Sequence, residues 1–489
     1  MIQRNFLAVV FICVTALHLA PIWAVRYVPT ADGPSHVYNA WVLQALVRGT
    51  APPAVQSALA IRTRFIPNWV GHGLLALLIA VAGPLVGEKL FLTLLIAALS
   101  AAAWYLAGAL GQRGQGAAFL ILPVLVSWPM LMGFHGFCLG IALDLALLGY
   151  FARHAHGPGA RVATVLAAGL LVALLLHPVS FAVGAAGIAL LWVTDPAVRT
   201  SRSLARRLAA LLPAVALGSL FLYTQRATLA FSPAPLIVRL RYLLEDYTVY
   251  TLFPGQVVLG RIAGALAAAL VVVAASERPR LADRRTAPFL VLALCLGLVY
   301  LVSPEAAMGG SLLGPRLALY PALALMPWLA ARLPLWAERT GAGLFGLWAV
   351  VHLGLLFPSY RAADREVAIY LEGLARVPAG ASLRVDAEPL EPAGGRNIPL
   401  LLHAAGYVGA EKQLLLWPNY ETGQTYFPIR LRAVHQGAPG AEGVVDYVYS
   451  WRLAPGSSAR DRLEQDFDPV AASDAGGVLY QRKSTSAER

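Results

Sequence analysis

The sequence predicts a mainly α-helical, polytopic membrane protein ending in a smaller α/β domain. Three observations carry this. The 489 residues are 58% hydrophobic and 13% charged, against roughly 25% charged in ordinary soluble domains, and the mean hydropathy is +0.64. Apolar runs of roughly 18 residues or more recur from residue 5 to 357, each long enough to cross a bilayer. Beyond residue 358 these runs give way to short strand-like segments and polar helices. The expected division is a transmembrane domain over 1–357, with a first outward loop at 26–66, and an extracytoplasmic α/β domain over 358–489.

The first span covers 5–25. Arg4 and the apolar stretch behind it also resemble a signal peptide, but Ile22 is a poor –3 residue before Ala24 and further spans follow, so an uncleaved helix is expected. In the loop, the 36–48 segment has Val37, Trp41 and Ala45 on one face, which predicts an amphipathic helix lying on the membrane surface. Pro52-Pro53 ends it. Apolar runs follow at 68–84, 89–110, 117–132, 137–152, 162–193, 207–224, 256–275, 287–303, 316–331 and 341–357. The 162–193 run is too long for one straight span, and His177-Pro178 divides it by a kink or hairpin. Roughly 11–13 spans result. Their number has a parity problem: if 68–84 and 89–110 both cross, Arg113 falls outside and the later loops invert. Either one of the two is re-entrant or 162–193 crosses once.

The net charge of +12 rests on arginines between apolar runs, which fits membrane topology and not a nucleic-acid partner. Arg153 and Arg161, then Arg199, Arg202, Arg206 and Arg207, then Arg278, Arg280, Arg284 and Arg285, then Arg332 and Arg339, mark cytoplasmic loops. The N-terminus is then inside, and Asp32 and the 358–489 segment are outside. Cys13, Cys138 and Cys295 all lie in apolar runs and read as small core residues, with no disulfide or zinc spacing. In the C-terminal domain a helix is expected over 359–376, strands at 382–386, 446–451 and 477–481, a short helix at 460–465, and a disordered tail over 483–489.

Asp32 is the only acid in the first 87 residues, and His36 follows four positions on. Either Asp32 caps the helix beginning near His36, or it is a carboxylate poised for chemistry. Asp32 and His36 are also a possible, but incomplete, metal pair. Other polar groups expected on the outer side are His72, His135 between glycines, and His177. Arg239, Arg241, Glu245 and Asp246 lie in the 225–255 stretch, and Arg316 follows Gly314-Pro315. The arginines are either solvated surface residues or phosphate binders, for which the guanidinium fork is suited. Asp144 sits inside a span, where a charge is costly without a partner. Trp417, Tyr420 and Tyr426 either contact a glycan or pack the domain. No Walker loop, dinucleotide glycine fingerprint, Gly-x-Ser-x-Gly or HExxH occurs, which argues against an ATP-driven pump and common hydrolases.

The arrangement resembles the GT-C superfamily of membrane glycosyltransferases, in its poorly characterised bacterial members. The resemblance rests on one span, then Ala31-Asp32-Gly33-Pro34-Ser35-His36-Val37-Tyr38-Asn39-Ala40, Pro67-Asn68-Trp69, His177-Pro178, and the ending Asp446-Tyr447-Val448 with Val478-Leu479-Tyr480-Gln481-Arg482. It implies a bacterial cytoplasmic membrane protein that moves a sugar, with inversion, from a polyprenyl-phosphate donor to a glycan, lipid or protein acceptor at the outer face. In that family the first-loop acid activates the acceptor hydroxyl, or helps bind a divalent metal in some members; both roles would fall on Asp32. His36 is expected beside it in catalysis, with His72, His135, His177, Arg239, Arg241 and Arg316 binding substrate or phosphate. Many relatives carry a second acid near the first. Here Gly33 follows Asp32 and the next acid is Glu88, which weakens a metal-dependent version and leaves open a member without activity. The competing readings are a flippase or polysaccharide exporter of the envelope, and an O-antigen-ligase-like enzyme. Asp144 and Arg261 are a thin polar path for the former, and the 225–255 loop is short and central for the latter.

Overall fold

The computed structural model describes residues 2–110, 114–154, 160–194, 201–225, 235–245, 247–277, 283–307, 310–387, 395–432, 445–454 and 456–483. Arg113, Arg199, Asp246, Arg278, Arg280 and the 484–489 tail lie outside these. Two compact units divide the chain: Met1–Pro21, Leu92–Met130 and Phe134–Phe357 form one, and Ile22–Phe91, Leu131–Gly133 and Pro358–Arg489 form the other.

The first unit is helical. Among the described residues of the whole chain, six helical segments are long and apolar enough to cross a membrane: Asn5–Trp23, Pro84–Ala107, His135–His154, Gln256–Ser276, Arg285–Val302 and Leu335–Glu372. Five more apolar helices are shorter. Large apolar side chains such as Leu212, Val272, Leu294, Leu298 and Leu347 point outward, as a lipid-facing surface requires. The architecture is that of a polytopic α-helical membrane protein.

Several runs differ from the sequence expectation. Trp69–Ala82 has 14 residues, about 21 Å of helix, which is short of a bilayer core of about 30 Å. It is the weaker crossing of the pair that created the parity problem. The 117–132 run becomes a 3-10 helix, Gln115–Val124, which holds Pro123 near its end, and a single turn, Trp128–Leu131. The 316–331 run breaks into Leu313–Leu317, Tyr320–Ala324 and Met326–Arg332, with Pro321 and Pro327 opening the last two. His177 does divide its run, into Ala160–Leu176 and Pro178–Thr194. The helices expected at 341–357 and 359–376 are one, Leu335–Glu372, which continues through Pro358. Cys13 and Cys295 are exposed and only Cys138 is buried, since a thiol on a lipid-facing surface needs no core.

The second unit joins the first-loop segment to the C-terminal segment. Its five-stranded mixed sheet runs in the order Leu415–Trp417, Ser382–Ala387, Tyr447–Trp451, Gly477–Arg482, Phe467–Ala472, with the first three parallel and the last two antiparallel. The loop strand Leu59–Ile61 pairs antiparallel with Ile429–Leu431. The loop helix is Gly33–Arg48, and it does not lie as an amphipathic surface helix: twelve of its sixteen residues are buried. Its polar side chains are satisfied from inside the unit. Tyr38 Oη donates to Leu414 O at 2.9 Å and accepts from Leu416 N at 3.0 Å, and Asn39 pairs with Asn419 through both amides.

Candidate active site

Asp32 stands at the N-cap position of the Gly33–Arg48 helix, yet its side chain makes no capping hydrogen bond. Other contacts position it. The Leu131–Gly133 turn presents three successive carbonyls to this loop: Ala31 N donates to Leu131 O at 2.9 Å, Asp32 N to Met132 O at 3.0 Å, and a His36 ring nitrogen lies 3.0 Å from Gly133 O. Gly133 has φ +89°, and a Cβ there would fall 2.8 Å from the Asp32 Cβ. Only glycine permits this approach.

His403 Nε2 lies 3.6 Å from Asp32 Oδ1, with both side chains partly exposed. The imidazole stacks on Tyr420 at 4.6 Å between ring centres. Burial pushes its pKa down to about 4, so it is neutral at pH 7. His403 and Tyr420 line a cavity of about 270 Å³ with Tyr38, Tyr370, Trp417 and Asn419. Of the three aromatics weighed for glycan contact, Trp417 and Tyr420 face this cavity and Tyr426 does not line it.

Behind His36 lies a buried triad. His36 Nδ1 is 2.7 Å from Glu421 Oε1, and His72 Nε2 is 2.9 Å from Glu421 Oε2. The Glu421 side chain is fully buried, and the two imidazoles nearly so. Burial opposes charge on His36, but the Glu421 carboxylate outweighs it and holds its pKa above the ordinary value. Burial likewise opposes charge on Glu421, and His72 and His36 outweigh it, pulling its pKa down to about 2. Among the described residues these three form the group whose atoms could hold a metal, all within 4.8 Å of one another. Of the pair weighed from the sequence, Asp32 with His36, only His36 belongs to this group. Asp32 is not part of the group.

Glu88, the next acid along the chain, is also buried. Tyr407 Oη bonds its Oε2 at 2.8 Å and the Val28 carbonyl at 3.0 Å.

The other expected site residues belong to the first unit. His135 opens the His135–His154 helix and is buried. His177 Nδ1 accepts from Val179 N at 3.2 Å, and its ring lies 5.4 Å from Phe137. The Arg316 guanidinium stacks 3.9 Å above the Phe134 ring and donates to Ser311 O at 2.9 Å. That holds a cation in a fixed orientation beside two aromatics. Arg239 donates to Tyr300 O at 2.7 Å and Ser303 Oγ at 3.0 Å, at the C-terminal end of the Asp283–Val302 helix, where a cation satisfies terminal carbonyls. Arg241 is exposed and pairs with Glu245 one turn away; Arg261 meets the same carboxylate at 3.3 Å. Asp144 accepts from Tyr320 Oη at 2.8 Å, which supplies the partner its position within a span demanded.

Glu421 and His403 were not anticipated. Glu421 sits in an ordinary polar stretch of the C-terminal segment, 385 residues from His36, so no local spacing signals it.

No family model and no curated protein matches the sequence. Solved structures do match. The chain is similar to ArnT from Cupriavidus metallidurans bound to undecaprenyl phosphate, with a TM-score of 0.55 and 11% identity over 98% of each chain. The apo state of that protein gives 0.54 and 10%, again over 98% of each chain. A likeness to the arabinofuranosyltransferase AftD from Mycobacteria covers 99% of this chain and 42% of that one at a TM-score of 0.48, and no argument rests on it. At such identity the likeness speaks to fold, and it spans the membrane helices and the C-terminal segment together: the chain has a GT-C-like fold.

Proposed function

We propose that this protein is a membrane glycosyltransferase that moves a sugar from a polyprenyl-phosphate donor to an acceptor hydroxyl at the outer face of the membrane, with Asp32 as the base. The acceptor oxygen attacks the anomeric carbon while its proton passes to the Asp32 carboxylate. The bond from the anomeric carbon to the lipid phosphate breaks, and the phosphate leaves with its charge met by a fixed cation. Attack opposite the leaving group inverts the anomeric centre. Within the first unit, Arg316, oriented on Phe134, is the strongest candidate for phosphate binding, with His135 and His177 after it. Arg239 and Arg241 are engaged elsewhere and are assigned structural work.

The observation that carries this reading is Asp32 itself. Its side chain stands at a cap position without capping, on a loop held by the Leu131–Gly133 carbonyls, and 3.6 Å from the cavity-lining His403. The fold's likeness to an undecaprenyl-phosphate-bound ArnT supports the donor class. The test is transfer of labelled sugar from a synthetic polyprenyl-phosphate donor by the purified protein in detergent. Wild type is expected to form product and Asp32→Asn to lose it by at least about 100-fold while eluting as the same folded species. Full transfer by Asp32→Asn, or lipid translocation in vesicles without bond formation by wild type, overturns it.

A further inference from the structure

We propose that His36, His72 and Glu421 form a binding site for a zinc-class divalent metal ion, separate from Asp32. The argument is one of donors and acceptors. His36 has Glu421 Oε1 at 2.7 Å on Nδ1 and the Gly133 carbonyl at 3.0 Å on Nε2. His72 has the Asn68 carbonyl at 3.1 Å on Nδ1 and Glu421 Oε2 at 2.9 Å on Nε2. Every one of these four ring nitrogens faces an oxygen that accepts hydrogen bonds. A neutral imidazole has one N–H, so each ring would leave a lone pair against an oxygen. Two imidazolium ions satisfy the count, but they place two buried cations around one carboxylate, an expensive arrangement.

A metal ion between the rings resolves the count with neutral imidazoles. The distal nitrogens, His36 Nε2 and His72 Nδ1, carry the protons and donate to Gly133 O and Asn68 O. The proximal nitrogens and a Glu421 oxygen become ligands. A ligating histidine whose other nitrogen donates to a backbone carbonyl is the usual outer-shell support of a metal site. The surroundings fit as well. Ser35 Oγ donates to Glu421 Oε1 at 3.2 Å, and the Phe427 ring packs 5.9 Å from His36 and 5.4 Å from His72, an apolar wall on one side of the group.

Two nitrogens and one carboxylate select zinc or a neighbouring first-row ion over magnesium or calcium, which prefer all-oxygen sets. Tetrahedral bonds of about 2.0–2.1 Å separate donor atoms by roughly 3.3 Å. To admit the ion the two nitrogen–oxygen pairs open by about half an ångström, and the ligand atoms, which lie within 4.8 Å of one another, draw in around it. Three protein ligands leave the fourth position to water or a substrate oxygen. The ion would tie the loop helix Gly33–Arg48 and the helix Trp69–Ala82 to the C-terminal Glu421, all within the second unit.

This inference does not depend on sugar transfer, and its test reads metal. The full chain, purified in detergent without a metal-affinity step, is analysed by elemental mass spectrometry. About one zinc-class ion per chain is expected, with at least a tenfold loss in Glu421→Gln and His72→Gln and full retention in Asp32→Asn. Cobalt(II) added to chelator-stripped wild type is expected to give the visible bands of a four-coordinate nitrogen–oxygen site, which keeps the proposal testable if a variant does not fold. Folded wild type that holds no transition metal and gives no cobalt spectrum overturns it, as does loss of the ion on Asp32→Asn.

Discussion

At the residue scale, Gly133 and His403 matter most around Asp32. Gly133 lies at φ +89°, and a methyl group there would meet Gly33 N at 2.7 Å and the Asp32 Cβ at 2.8 Å, with little room for backbone to yield. Gly133→Ala is expected to cost about 2–4 kcal/mol, from left-handed strain and overpacking together, and to lower the unfolding temperature measured in detergent. Unchanged stability would mean that the turn does not hold the Asp32 loop. His403 gives a pH signature. Its folded pKa is depressed to about 4 by burial, while the unfolded chain takes up the proton near 6.5. The sign follows from linkage: between these values the unfolded state binds more protons, so stability falls as pH drops from about 6.5 to about 4. Denaturation followed over this range is expected to show a shallower loss in His403→Gln than in wild type. Equal slopes would remove His403 as a group held neutral by the folded protein.

At the element scale, the Gly33–Arg48 helix shows what sequence periodicity conveys and what it does not. The helix itself was legible: it was expected over 36–48 and runs over Gly33–Arg48, though the left-handed Gly49 closes it before Pro52-Pro53 is reached. Its environment was not. Val37, Trp41 and Ala45 suggested one apolar face lying on the membrane surface, a reading that left out Tyr38 and Asn39. Both are buried because the C-terminal segment supplies their partners from more than 370 residues away, and such pairing leaves no periodic trace. The expected strands at 382–386 and 477–481 fall within observed strands and the one at 446–451 begins a single residue early, since short alternating segments flanked by turns report their own state. Tyr38 allows the helix docking to be measured. Tyr38→Phe removes one hydroxyl that bridges Leu414 O and Leu416 N, leaving two buried backbone groups short of a partner. A loss of about 1–3 kcal/mol in thermal or chemical unfolding is expected. No loss would mean that water reaches the strand Leu415–Trp417.

At the scale of the whole molecule, class was legible and assembly was not. Composition and apolar runs are sums over many residues, so they survive local error and point to a polytopic helical protein. Glu421 and His403 depend on which distant segments meet, and a single sequence carries no signal for that. One consequence concerns topology. Leu59–Ile61 pairs with Ile429–Leu431, so the first loop and the C-terminal segment must share one side of the membrane. The arginine-rich loops, by contrast, are expected on the cytoplasmic side. In a chain with its three cysteines replaced by alanine, single cysteines at the exposed Ser57 and Gln465 are expected to react together with an impermeant thiol reagent on intact cells. A cysteine at the exposed Ser276, beside the arginine-rich 278–285 loop, is expected to react only after permeabilisation. Labelling of Ser57→Cys without Gln465→Cys contradicts the strand pairing. Labelling of Ser276→Cys on intact cells while the other two stay protected inverts the orientation, and with it places Asp32 on the cytoplasmic face.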